Sequence, residues 1–266
     1  GKNSSRYSQR FSIPSPASDG KGLTMQVCYY AHDDKTVIDI LGSWRKWYLG
    51  NGSTLDLTFA NMQSCIGDIA LKIGLPIEKI QNAKILNVEL GFNLRFHENT
   101  GGIIDGFVYY KGFDKIFKYS RESVKFKGEA YTVCCYDKYS EIMSAYEKAT
   151  KESEQRLIRK GQFPEPRKSK TLLSKKMNKN NFCLRFEVGI REIKKAPPEL
   201  KGIINSPISI VQNWNEILDG LDKIFEKIEF AEYNLNVGRE FLEKKGMNEL
   251  NKCKTHVMAI LAGGIG

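Results

Sequence analysis

Two segments of the chain carry a glutamate in the middle of an alternating pattern. From Ile85 to Phe96 the even positions Leu86, Val88, Leu90, Phe92, Leu94 and Phe96 are apolar, and Glu89 sits among polar odd positions. Phe182 to Arg191 repeats the design, with Phe182, Leu184, Phe186, Val188 and Ile190 on one parity and Arg185 and Glu187 on the other. Period two of this kind predicts strands with one face on a core and one face polar. Between them, Tyr131–Lys138 is β-rich and alternates Val133 and Cys135 with Thr132, Cys134, Tyr136 and Lys138. Were the three strands neighbours, about 4.8 Å apart, Glu89, Glu187, Tyr136 and Lys138 would converge on one polar surface. Paired carboxylates suit a hard cation such as Mg²⁺ or Mn²⁺. Beside such a cation a tyrosine hydroxyl can attack phosphorus, and a lysine can stabilise the developing charge. The competing reading is plainer: a solvent-facing strand carries polar residues anyway, and a glutamate there forms cross-strand pairs.

The elements that would position these residues are legible in outline. Residues 1–22 read as a polar segment, loose at its start. Strands are expected at Leu23–Tyr30 and Lys35–Ile40, and a helix at Phe59–Ile73 closed by Gly74 and Pro76. A charged helix should run from about Ser140 to Lys160. Beyond residue 200 the pattern turns helical: Ser206-Pro207 opens a stripe through Ile210, Trp214, Leu221, Phe225 and Ile228, and a further helix is expected from Gly238 to Ala262. These elements imply an α+β domain, an antiparallel β-sheet with helices packed on one face, over 23–200, followed by a helical C-terminal region over 201–266.

Composition narrows the class of partner. The 266 residues hold 41 Lys plus Arg against 31 Asp plus Glu, a net charge of +10. Arg156 to Lys179 has nine basic residues against one acid, Glu165, and so carries +8 of it. This basic loop, 156–181, includes Arg167, Lys168, Lys170, Lys175 and Lys176 and points to a polyanion, most often nucleic acid or an acidic membrane surface, with plain solubility charge as the alternative. Trp44, Trp47 and Tyr48 beside Arg45 and Lys46 mix aromatic and basic groups in a way that suits unpaired bases, with core packing of the tryptophans as the equal alternative. Six cysteines without a Cys-x-x-Cys pair, and only three histidines, argue against structural zinc and for a reducing cytoplasm. No apolar run reaches the length of a membrane helix, so no membrane partner is expected. The first residues are polar, without a secretory pattern, and Gly1 in place of Met suggests a trimmed start.

Four blocks in order carry a family resemblance: Gly42-Ser43, Lys46 and Gly50-Asn51; Ile85 to Asn93; Thr132-Val-Cys-Cys-Tyr-Asp-Lys-Tyr-Ser-Glu-Ile142; and Leu184-Arg-Phe-Glu-Val-Gly-Ile-Arg-Glu-Ile-Lys-Lys195. Over roughly Gly42 to Leu221 the chain resembles the phage and plasmid replication proteins typified by the filamentous-phage gene II protein, rolling-circle initiators with an HUH/Rep-like nuclease fold. The resemblance implies a metal-dependent endonuclease that nicks one origin strand and later rejoins it. Tyr136, in Tyr-x-Lys-x-x-Glu, would be the nucleophile, forming a 5′-phosphotyrosine and freeing a 3′-OH primer. Lys138 would stabilise charge, and Glu141 would be a metal ligand or base. Glu89 and Glu187 match the acidic positions and would be further ligands of Mg²⁺ or Mn²⁺. Arg185 and Lys46, with the basic loop, would hold DNA, either single-stranded or as a supercoiled origin. A host helicase and polymerase, a homodimer and a bacterial cytoplasm fit the same picture. One departure stands out: the His-hydrophobe-His metal pair of many rolling-circle nucleases is missing, and His97 near the strand end is a surface histidine or at most an auxiliary ligand. A plasmid mobilisation relaxase would share this chemistry, and a basic nucleic-acid binder without catalysis is the alternative of another class.

Overall fold

The computed structural model describes residues 6–96, 100–113, 116–119, 122–160 and 182–230. In chain order the first elements are β1 (Arg6–Ile13), β2 (Leu23–Tyr30), β3 (Lys35–Leu41), α1 (Trp44–Leu49), α2 (Phe59–Ile73) and α3 (Ile77–Gln81). Then come β4 (Val88–Phe96), α4 (Thr100–Gly106), β5 (Phe107–Tyr110), β6 (Ile116–Tyr119), β7 (Ser123–Lys127) and β8 (Tyr131–Asp137). The last are α5 (Lys138–Arg159), β9 (Phe182–Ile190), α6 (Pro207–Gln212), α7 (Trp214–Phe225) and β10 (Ile228–Phe230). The mixture of antiparallel sheets and helices is α+β, as the sequence pattern implies. No helix among the described residues is long and apolar enough to cross a membrane.

The chain divides into two compact units, residues 1–84 with 206–212 and residues 85–205 with 213–266. These boundaries differ from the expected 22/23 and 200/201. In the first unit β1, β2 and β3 form an antiparallel sheet in sequence order. Arg6–Ile13 of the expected polar N-terminal segment is therefore a paired strand, which the sequence pattern does not announce: Tyr7, Phe11 and Ile13 alternate with Ser8, Arg10 and Ser12, but Gln9 interrupts the pattern. α2 has the expected limits. Thr58 and Asn61 form a capping box, Gly74 closes the helix at φ 70°, and Cys65, Ile66 and Ile69 are buried. Trp47 on α1 is fully buried, its Nε1 donating to the Pro14 carbonyl at 3.0 Å, which removes it from any role in base stacking.

In the second unit five strands form one sheet in the order β4-β9-β8-β7-β6, every neighbouring pair antiparallel. The register builds one apolar face from the rows Leu90–Val188–Val133–Phe126 and Phe92–Phe186–Cys135–Val124. Phe186, Val188, Val133, Cys135, Val124 and Phe126 are all at most 1% exposed. At about 1.5–3 kcal/mol for each large apolar side chain, this layer dominates the unit. Phe225 of α7 packs edge-on against Phe186 at 5.1 Å and against Phe92 at 6.0 Å. The C-terminal stripe breaks into α6 and α7, and Ile228 leaves it for β10, which pairs with β5. β5, β6 and β7 are strands that the sequence pattern does not announce. The helix expected over 238–262 lies outside the described residues.

Candidate active site

The three strands that carry the acidic and tyrosine positions are direct neighbours, with β9 in the middle. The opposite, polar face of the sheet has three rows. In the first, Gly91 faces Glu187, Glu187 faces Cys134, and Cys134 faces Lys125. In the second, Asn93, Arg185, Tyr136 and Ser123 stand in line. In the third, Glu89, Gly189, Thr132 and Lys127 do so. Glu89 and Glu187 are thus diagonal neighbours on adjacent strands, positions about 7–8 Å apart.

Each glutamate stands opposite a glycine, and the space this leaves is used. A Cβ on Gly91 would lie 2.1 Å from the Phe186 carbonyl oxygen and 3.0 Å from Cγ of Glu187. A Cβ on Gly189 would meet Thr132 Oγ1 at 2.9 Å and Cγ of Glu89 at 3.8 Å. Glycine inside a strand marks close approach by another group. Here it gives the carboxylates room beside the neighbouring strand. The Glu-x-Gly spacing occurs in both segments, Glu89-Leu90-Gly91 and Glu187-Val188-Gly189, and that repeated spacing is a signal of the arrangement that alternation alone does not provide.

Tyr136 lies at the centre of a set of charged groups. Its phenol is held well above the ordinary tyrosine range, first by burial, then by the negative charges of Glu187 and Glu141, against the pull of Arg185. Arg185 is nearly buried, at 7% exposure, and donates from Nε to Glu187 Oε1 at 2.6 Å and from Nη1 to Asn93 Oδ1 at 3.1 Å. It therefore orients Glu187, where the sequence reading gives it a phosphate contact. Lys138 departs from its expected place on the strand: Asp137 accepts from the Ser140 N–H at 2.7 Å, caps α5, and makes Lys138 the first helical residue. Its ammonium, 1% exposed, lies 5.6 Å from the Tyr136 ring centroid and donates to Glu141 Oε2 at 2.6 Å. Glu141 is consequently tied to Lys138. Tyr139 stands beside Cys183 and Arg95.

Cys134, half-buried among these groups, has its thiol pushed up to about 11, by burial first and by Glu187 and Glu89, while Lys125 and a Thr132 hydrogen bond oppose the shift. Glu187 faces Cys134 from β9, and Glu89 lies one strand farther, on β4. Among the described residues no group of three or more His, Cys, Asp or Glu side chains is arranged to hold a metal ion. The available oxygen donors are the exposed Glu89 and the partly exposed Glu187. Lys46 is a half-buried residue of α1 in the other unit. His97, Arg167, Lys168, Lys170, Lys175 and Lys176 lie outside the described residues. No known protein family, curated protein or solved structure matches the chain.

Proposed function

We propose that this chain is a rolling-circle replication initiator with a Rep-like nuclease fold: a DNA nickase and strand-joining enzyme that uses Tyr136 as nucleophile. The observation that carries the reading is the placement of Tyr136 opposite Arg185, which is bonded to Glu187 and Asn93, across three adjacent strands. It supplies the nucleophile, base and orienting group that activate a weak hydroxyl. A phenol held protonated at neutral pH must lose its proton during attack, and Glu187, diagonal to Tyr136 on the adjacent strand, would receive it. Tyr136 Oη then bonds to phosphorus, the bond from phosphorus to the 3′ oxygen breaks, and that oxygen takes up a proton to become a 3′-OH. Attack by a 3′-OH on the phosphotyrosine reverses these transfers and joins the strand. Lys138 over the ring face favours the phenolate character that develops.

Two carboxylates at diagonal positions on adjacent strands suit a hard divalent cation, which takes one or two carboxylates and completes its shell with water and phosphate oxygen. Glu89 and Glu187 would hold Mg²⁺ or Mn²⁺, which would polarise the scissile phosphate. The resemblance of Thr132–Ile142 and Leu184–Lys195 to the phage and plasmid replication proteins favours DNA as substrate, in the cytoplasm of a bacterial host. A homodimer and host replication proteins would be partners on the same ground.

The test is incubation with supercoiled circular DNA and with a random-sequence single-stranded library in Mg²⁺ or Mn²⁺, followed by a denaturing gel. A covalent protein–DNA band that needs metal and is lost in Tyr136→Phe is the expected result. Salt-sensitive binding with no covalent band on either substrate would instead support the non-catalytic binder.

A further inference from the structure

The half of the polar face beyond Tyr136 is built from different residues. On β7 and β6 it presents Lys127, Lys125 and Ser123, then Phe117 and Tyr119, because Phe117 pairs with Lys125 and Tyr119 with Ser123. Phe117 is 39% exposed and Tyr119 56%. Two open aromatic rings on a sheet edge invite association with other chains, a liability that folds normally suppress. They contribute little to a core from that position. Lys125 and Lys127 have no ion-pair partner among the described residues. Among the described residues of β6 and β7 no carboxylate stands on this half of the face.

From this arrangement we infer that β6 and β7 form a single-strand binding platform in which Phe117 and Tyr119 stack on unpaired bases while Lys125 and Lys127 hold phosphates. Stacking on aromatic rings accepts any base but requires that the base be unpaired, and lysines supply the phosphate attraction. A protein partner would leave the two lysines uncompensated unless it brought its own acids, whereas a polyanion with flat apolar rings answers both features. The platform is continuous with Tyr136: Tyr119, Ser123 and Tyr136 stand in one row, so Tyr119 is two strand spacings, about 10 Å, from the nucleophile. The small Ser123 between them leaves the floor open. This inference deepens the nickase reading and rests on it for the scissile phosphate at Tyr136. The platform would then bind the strand flanking the cut and select an unpaired substrate.

The experiment is fluorescence anisotropy of the full chain with labelled oligothymidylate and with a mixed-sequence duplex, over a series of salt concentrations. Phe117→Ala combined with Tyr119→Ala should weaken oligothymidylate binding about tenfold or more and leave duplex binding nearly unchanged. Phe117→Trp should retain affinity, its indole fluorescence quenched by the oligonucleotide, which separates loss of stacking from loss of fold. Lys125→Ala and Lys127→Ala should each lower the salt slope of single-strand binding by about 0.7. Wild-type affinity in the double alanine variant, or an equal loss on single strand and duplex, would overturn the platform. A covalent adduct at Tyr136 with unaltered binding by the platform variants would sink this inference alone. Selective loss of single-strand binding with no adduct in any protein would sustain the platform and remove the nickase.

Discussion

On β9 the charges of the polar face are tied to one another, Arg185 to Glu187, and Arg185 also to Asn93 on β4, with Tyr136 facing Arg185 from β8. On β7, two strands away from β4's neighbour, Lys125 and Lys127 stand without ion-pair partners among the described residues, next to the open rings of β6. The two halves belong to one sheet and one face. Their difference separates two tasks. Charges fixed by short bonds on a rigid strand are oriented before a substrate arrives, and this is what proton transfer and attack require. Unpaired lysines beside exposed rings keep their freedom and suit a flexible polyanion.

The comparison breaks most completely at Tyr136. Tyr136→Phe should reduce nicking on the order of 10³-fold or more with DNA binding unchanged in anisotropy, whereas equal nicking would move the chemistry elsewhere. Glu187→Gln keeps the shape of the side chain but removes the base. Single-turnover nicking should fall about 10²- to 10⁴-fold, and a variant as fast as wild type would assign Glu187 to structure alone.

The glycine that makes room for Glu187 provides the next test. Gly91→Ala would drive a methyl onto the Phe186 carbonyl oxygen, 2.1 Å away, and should cost about 1–3 kcal/mol in urea unfolding. Gly67→Ala in α2 has nothing within 4 Å and should be neutral or stabilise by up to about 1 kcal/mol. Equal effects of the two would mean that the Glu–Gly pairing imposes no special closeness.

The smallest effect concerns Cys134. Its alkylation by iodoacetamide should reach half its limiting rate near pH 11 rather than near 9.0. Because the folded protein holds the thiol neutral, the corresponding stability is fully present below pH 9.0 and is lost as pH rises through about 11. A profile centred on 9.0 would show that the thiol is less buried than this face requires.

How much of this was legible depends on whether a feature is local. β4 and β9 show in the sequence because their alternation is unbroken, and α2 because Thr58 and Gly74 mark both ends. β1 stays hidden because Gln9 interrupts its alternation and its partner lies on β2. β6 has only four residues, all exposed, so no burial pattern marks it. The order β4-β9-β8 is a non-local property, and the placement of Tyr136 opposite Arg185 follows from it. Parity misleads at Lys138 because Asp137 ends the strand by capping a helix, and an alternation count continues past such a point. The tryptophan at 47 shows the opposite limit: within a basic and aromatic cluster in sequence, Trp47 and Arg45 are buried while Trp44, Lys46 and Tyr48 stay half-buried.

The most direct test of the central claim is peptide mapping by mass spectrometry of protein incubated with a single-stranded library and Mn²⁺, then digested with nuclease and protease. The account predicts a nucleotide mass on the peptide that contains Tyr136, with fragment ions locating it on that residue. A nucleotide located on Tyr139 or on another residue would contradict it.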